Sequence, residues 1–142
     1  MSLWGDAAHN VVDGVLIASS FLVDIPAGIA TTVAVALHEI PQEIGDFGVL
    51  LYSGYTKTRA ILLNLLTALT SLIGGILVLA LHSSLPDIEY ILLPLVAGNF
   101  LYIAIADLLP ELHKQTRLSQ SILQIVSVGA GIGLMAGLLL LE

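Results

Sequence analysis

The ionisable side chains of this chain gather where apolar residues surround them. The stretch "HNVVDG" carries His9, Asn10 and Asp13, and "HEIPQEIGDF" carries His38, Glu39, Gln42, Glu43 and Asp46. Residues four apart on a helix share a face. That spacing pairs His9 with Asp13 and His38 with Gln42, while Glu39, Glu43 and Asp46 continue along neighbouring faces. Two adjacent antiparallel helices can therefore bring imidazole nitrogen, carboxylate oxygen and amide oxygen to one point. Such a donor set suits a divalent first-row cation such as zinc. The competing interpretation is structural, since a single histidine in an apolar helix more often hydrogen-bonds a neighbouring helix. His82 and His113, near helix ends, are read that way, and Asn64, Thr67, Thr70 and Ser71 as packing contacts. Asp107 and Glu111 fit either a site or a solvated helix end. Gly129, Gly131, Gly133 and Gly137 read as close helix packing.

Composition says what positions these groups. Of 142 residues 57% are hydrophobic and 11% charged, and mean hydropathy is +1.00. Soluble domains carry about 25% charged residues, so the chain reads as an integral membrane protein. An ionisable side chain at membrane depth is costly, and its default role is a site or pathway facing the bundle interior. With no cysteine, neither a disulfide nor a thiolate metal site is available. The formal charge of −7 reflects few bases, which argues against nucleic acid as a partner. The opening "MSLWGDAAHN" lacks the basic start and apolar core of a signal peptide. It reads either as an added N-terminal remnant or as a start codon placed inside a longer gene.

Five spans of the required length follow, at about 6–23, 27–52, 59–82, 88–112 and 118–141, within one membrane domain over 1–142. No strand alternation appears, so the expected class is all-α. Pro26 is expected at the first position of the second helix and Gly54 as its C-terminal cap. Pro41 removes a hydrogen bond to the Leu37 carbonyl and bends that helix, freeing carbonyl oxygens toward the site. Gly14, beside Asp13, lets helices approach. All the Lys and Arg residues (Lys57, Arg59, Lys114, Arg117) fall on one side of this arrangement, and Asp24, Asp87 and Glu89 on the other. Basic loops are held in the cytosol, which places Glu142 outside the cell membrane.

"HNVVDG" followed by "HEIPQEIGDF" resembles the paired signature helices of the ZIP metal-ion transporters. "SGYTKTRAILLNLLTA" and "AGNFLYIAIADLLPEL" are similar to later helices of that family. The resemblance covers nearly the whole chain. It implies the C-terminal five helices of an eight-helix fold, the three preceding helices being absent and related as a repeat to the last three. It also implies a metal held by His9, Asp13, His38 and Gln42, with Asn10, Asp13 and Glu39 approaching a second. Gln42 departs from the histidine or glutamate of some members, which weakens the site unless Glu43 turns toward it.

The function expected is transport of zinc, or of Fe2+, Mn2+ or Cd2+, toward the cytosol, with the ion as cargo and no cofactor. Expected partners are the bilayer, the metal, and either upstream helices or a second copy of the chain. The enzymatic alternative is an intramembrane zinc protease, which uses H-E-x-x-H with the glutamate as base. "HEIPQ" puts Gln42 where the second histidine belongs, so no enzyme is expected. A non-transporting fragment of a larger membrane assembly is the other alternative.

Overall fold

Turn chemistry sets where the helices begin and end. In the computed structural model, which describes residues 3–114 and 117–138 (side chains at 107, 108, 111, 113, 135 and 138 excepted), helix α1 spans Leu3–Val23 and α2 Ile25–Tyr52. Between them Asp24 has an extended backbone, and its Oδ1 accepts the Ala27 amide at 2.6 Å. This satisfies one of the orphaned donors at a helix start. Pro26 is thus the second residue of α2 rather than its first, because the Asp24 cap starts the helix one residue sooner. The helix runs unbroken through Pro41. Gly54 ends it with φ +89°, a conformation that favours a residue without Cβ. Its N–H bonds the Leu51 carbonyl at 3.0 Å, and the Tyr55 N–H bonds that of Leu50 at 3.1 Å.

Helices α3 (Lys57–Ala68) and α4 (Thr70–His82) form one apolar stretch of 26 residues, pinched at Leu69. Around the pinch, hydroxyls bond carbonyls three residues back along the chain. Thr67 reaches Asn64 O at 2.9 Å, Thr70 reaches Thr67 O at 2.6 Å, and Ser71 reaches Ala68 O at 2.7 Å. Beyond a turn come α5 (Glu89–Ile103), a π-helical segment (Ala104–Leu108), α6 (Leu109–His113) and α7 (Leu118–Leu138). Among the described residues there is no strand, and the fold class is all-α. Lys57–His82 and Glu89–Ala106 are long and apolar enough to cross a membrane. The acids, amides and histidines of α1 and α2 lower the hydropathy of those two helices.

The chain divides into two compact units, Met1–Leu93 and Pro94–Glu142. Within the first, α1 is the hub, packed most extensively on α4, then on α2 and α3. A Cβ at Gly14 would fall on the Ser71 carbonyl, and one at Gly74 on the Val11 carbonyl. So Gly14 does permit a close approach, but the helix that comes close is α4. Burial is inverted relative to a soluble domain. Asp6, Asn10, Asp13, Ser19 and Asn64 are buried while Ile29, Ile44, Ile76 and Leu79 are exposed. Apolar residues outside and polar residues inside suit a lipid surround. Within the second unit, Gln124 Nε2 donates to the Leu112 carbonyl at 3.2 Å. Gly129, Gly131, Gly133 and Gly137 have no described atom of their own unit within 4 Å of a built Cβ.

Candidate metal centre

One face of α1 supplies half of the site. Asp6, Asn10 and Asp13, spaced four and then three apart, are all buried, and Asp13 is only 1% exposed. His9 lies one turn before Asp13. From α2 come His38 and Glu39. Nε2 of His38 stands 3.4 Å from Asp13 Oδ2 and 3.3 Å from Glu39 Oε1; Nε2 of His9 stands 3.8 Å and 3.6 Å from the same two oxygens. Nitrogen and oxygen therefore alternate around a four-sided figure with two corners on each helix. The ligand atoms of these four residues all lie within 4.8 Å of one another. Tetrahedral ligands bound at about 2.0–2.1 Å are separated by roughly 3.3 Å. The observed edges are at or slightly above that spacing.

The surroundings prepare these atoms for a cation. His38 Nδ1 lies 3.2 Å from the Ala34 carbonyl, which orients the ring so that Nε2 faces Asp13 and Glu39. The two imidazole rings meet edge to face, 5.6 Å between centroids at 70°. Both Asp13 carboxylate oxygens and Glu39 Oε1 are buried without a hydrogen-bond donor. Carboxylate oxygens faced only by imidazoles in a low-dielectric interior are costly, and a divalent ion among them would remove that cost. The arrangement offers two nitrogen and two oxygen donors that could hold a metal ion.

The remaining sequence candidates lie beside the four-residue cluster. Gln42 Nε2 donates to Asp6 Oδ1 at 3.1 Å, and Asn10 Nδ2 donates to the Asp6 backbone carbonyl at 3.1 Å and to its Oδ1 at 3.3 Å. Glu43 lines a cavity of about 460 Å³ together with Asn10, Asp13, Glu39 and Asn64. Asn64 donates to the Glu43 backbone carbonyl at 2.9 Å, tying α3 to α2. Thr70 donates to the Ala7 carbonyl at 2.8 Å, tying α4 to α1.

A family model described as ZIP zinc transporter matches residues 1–139. The chain belongs to the ZIP zinc transporter family. Among similar ZIP proteins, "Zinc transporter zipt-7.2" of Caenorhabditis elegans is 40% identical over 139 residues, covering 95% of this chain and 30% of that relative. "Zinc transporter foi" of Drosophila melanogaster is 39% identical over 145 residues, covering 100% of this chain and 20% of the relative. "Zinc transporter ZIP13" of Danio rerio is 37% identical over 138 residues, with coverages of 96% and 40%. The chain thus spans between a fifth and two fifths of the length of these three relatives. No solved structure gives a significant match.

In this ZIP chain the sequence pattern passes over Asp6, which bonds two of the candidate side chains. Its signal is the spacing: Asp6 lies three residues before His9 and seven before Asp13, on the same helical face. His82 makes a separate pair, its Nδ1 3.2 Å from Glu89 Oε2, away from the cluster. The side chains of Asp107, Glu111 and His113, and the whole of Glu142, lie outside the described residues.

Proposed function

We propose that this ZIP protein carries divalent cations, zinc foremost, across the cell membrane toward the cytosol, the ion passing between α1 and α2. The observation that carries this is the alternating figure of His9, Asp13, His38 and Glu39, whose buried carboxylate oxygens lack donors. Relatives named as zinc transporters support the same cargo. Iron, manganese and cadmium ions fit a nitrogen and oxygen set as well, with zinc favoured by the two imidazoles. Without a thiolate the site can also release what it binds. Saturable zinc uptake into liposomes holding the purified protein, absent from empty liposomes, is the expected result. Uptake no faster than in empty liposomes sinks the proposal. The protease alternative fares poorly, because the Gln42 amide, at the place of a second histidine, is held by Asp6.

The orientation of the chain follows from charge. Lys57 and Arg59 come just after α2 ends at Tyr52, and basic residues stay cytosolic. Cysteines placed at Lys57 and at Ser84 flank the stretch formed by α3 and α4. A membrane-impermeant thiol reagent should label them from opposite sides. Labelling from the same side contradicts the orientation.

Glu43 and Asp46 lie one to two turns beyond His38 toward that basic end, and so serve as an exit route. Asp46→Asn should slow zinc transport several-fold while leaving equilibrium affinity nearly unchanged. Parallel uptake and titration measurements check this, and a large loss of affinity would move Asp46 into the binding site itself.

A further inference from the structure

We infer that Asp6 is a positioning residue, which holds the Asn10 and Gln42 amides by their nitrogens so that both amide oxygens remain for the passing cation. The inference rests on the proposed metal path between α1 and α2. A carboxylate only accepts, so the amide atom facing it must be the NH2 group. Asp6 Oδ1 receives both amides, from Gln42 at 3.1 Å and from Asn10 at 3.3 Å, and the Asp6 backbone carbonyl takes Asn10 again at 3.1 Å. Each carboxamide is planar, so fixing its nitrogen toward Asp6 turns its oxygen to the opposite edge. Asn10 is the neighbour of His9, and Gln42 sits one turn past His38 on the same face. The two amides therefore border the four-residue cluster, Asn10 within the turn from His9 to Asp13 and Gln42 one turn past His38.

Asp6 is itself only 2% exposed, and its Oδ2 is buried without a hydrogen-bond partner. A packing residue at this position has no use for such an atom. As the rear support of a cation path, its charge lends electrostatic attraction to two neutral amides that have little of their own. It compensates for the absence of a charged or imidazole side chain at position 42.

The test is zinc titration of the purified, detergent-solubilised protein, with helix content and thermal unfolding followed alongside. Asp6→Ala frees both amides to rotate and should weaken zinc about 10–100-fold, the usual cost of removing a residue that orients ligands. The exchange variant Asp6→Asn with Gln42→Glu keeps a hydrogen bond and the net charge, now with the asparagine NH2 donating to the new carboxylate. It should return affinity to within about threefold of wild type, since the paired changes compensate. A purely structural Asp6 leaves the exchange variant as weak as Asp6→Ala, and that result overturns the inference. So does an Asp6→Ala affinity within about twofold of wild type. His38→Ala separates the role of Asp6 from the metal path. If it loses zinc while Asp6→Ala retains it, only the role of Asp6 falls. If His38→Ala also retains zinc, the metal path falls and the role of Asp6 with it.

Discussion

Replacing His38 with alanine should lower zinc affinity by at least about a hundredfold, the upper end of what loss of an outer-shell partner costs. The side chain supplies one of four corners of the proposed site, and its Nε2 is aimed there by the Ala34 carbonyl behind the ring. Removing it leaves Asp13 and Glu39 facing each other with one imidazole between them, in an interior where no donor replaces the lost charge balance. His9→Ala has the same effect for the same reason, although its contacts are longer, at 3.6 Å and 3.8 Å. The double variant loses little more than either single one, because ligands acting on one ion are not independent. Isothermal titration of wild type, both single variants and the double variant checks this. Unchanged affinity in both single variants removes the site from between these helices. Additive losses would mean that the two histidines hold different ions.

The second large effect is on assembly. Gly14→Ala should destabilise the protein by roughly 3 kcal/mol or more, since overpacking that forces backbone shifts reaches or exceeds that figure. The added methyl has no space: it falls on the Ser71 backbone carbonyl, which cannot rotate away as a side-chain tip could. Gly74→Ala meets the Val11 carbonyl from the other side of the same contact and should cost as much. Gly75→Ala is the control, one residue along, where the nearest atoms lie 3.8 Å and 4.0 Å away. It should be nearly neutral. Thermal unfolding in detergent orders the three variants, and equal melting temperatures would mean that α1 and α4 are not in backbone contact.

Both predictions concern features that the sequence shows only in part. The helical class was legible, since apolar runs without strand alternation leave little else in a membrane. Local punctuation was legible too: Gly54 is read from turn chemistry, which acts over a few residues. Helix geometry fixes that His9 and Asp13 share a face, because that depends only on spacing. Which side chains of α2 meet them depends on the register at which the helices cross, and no spacing encodes it. The structure brings Glu39 to the cluster and leads Gln42 to Asp6. Asp6 escaped notice because it stands where the first apolar span begins, a place where an acid reads as a helix end. Gly14 is recognisable as a point of approach, yet the identity of the approaching helix is a long-range fact, carried by Gly74 some sixty residues away.

The four residues proposed as ligands are divided evenly, His9 and Asp13 on α1, His38 and Glu39 on α2. Every edge of the figure except two therefore crosses from one rigid rod to the other. Occupancy and helix separation are then thermodynamically linked. An ion can bind tightly only by holding the rods at one spacing, and a conformational change that slides them apart must weaken binding by the same free energy that the ion contributes to keeping them together.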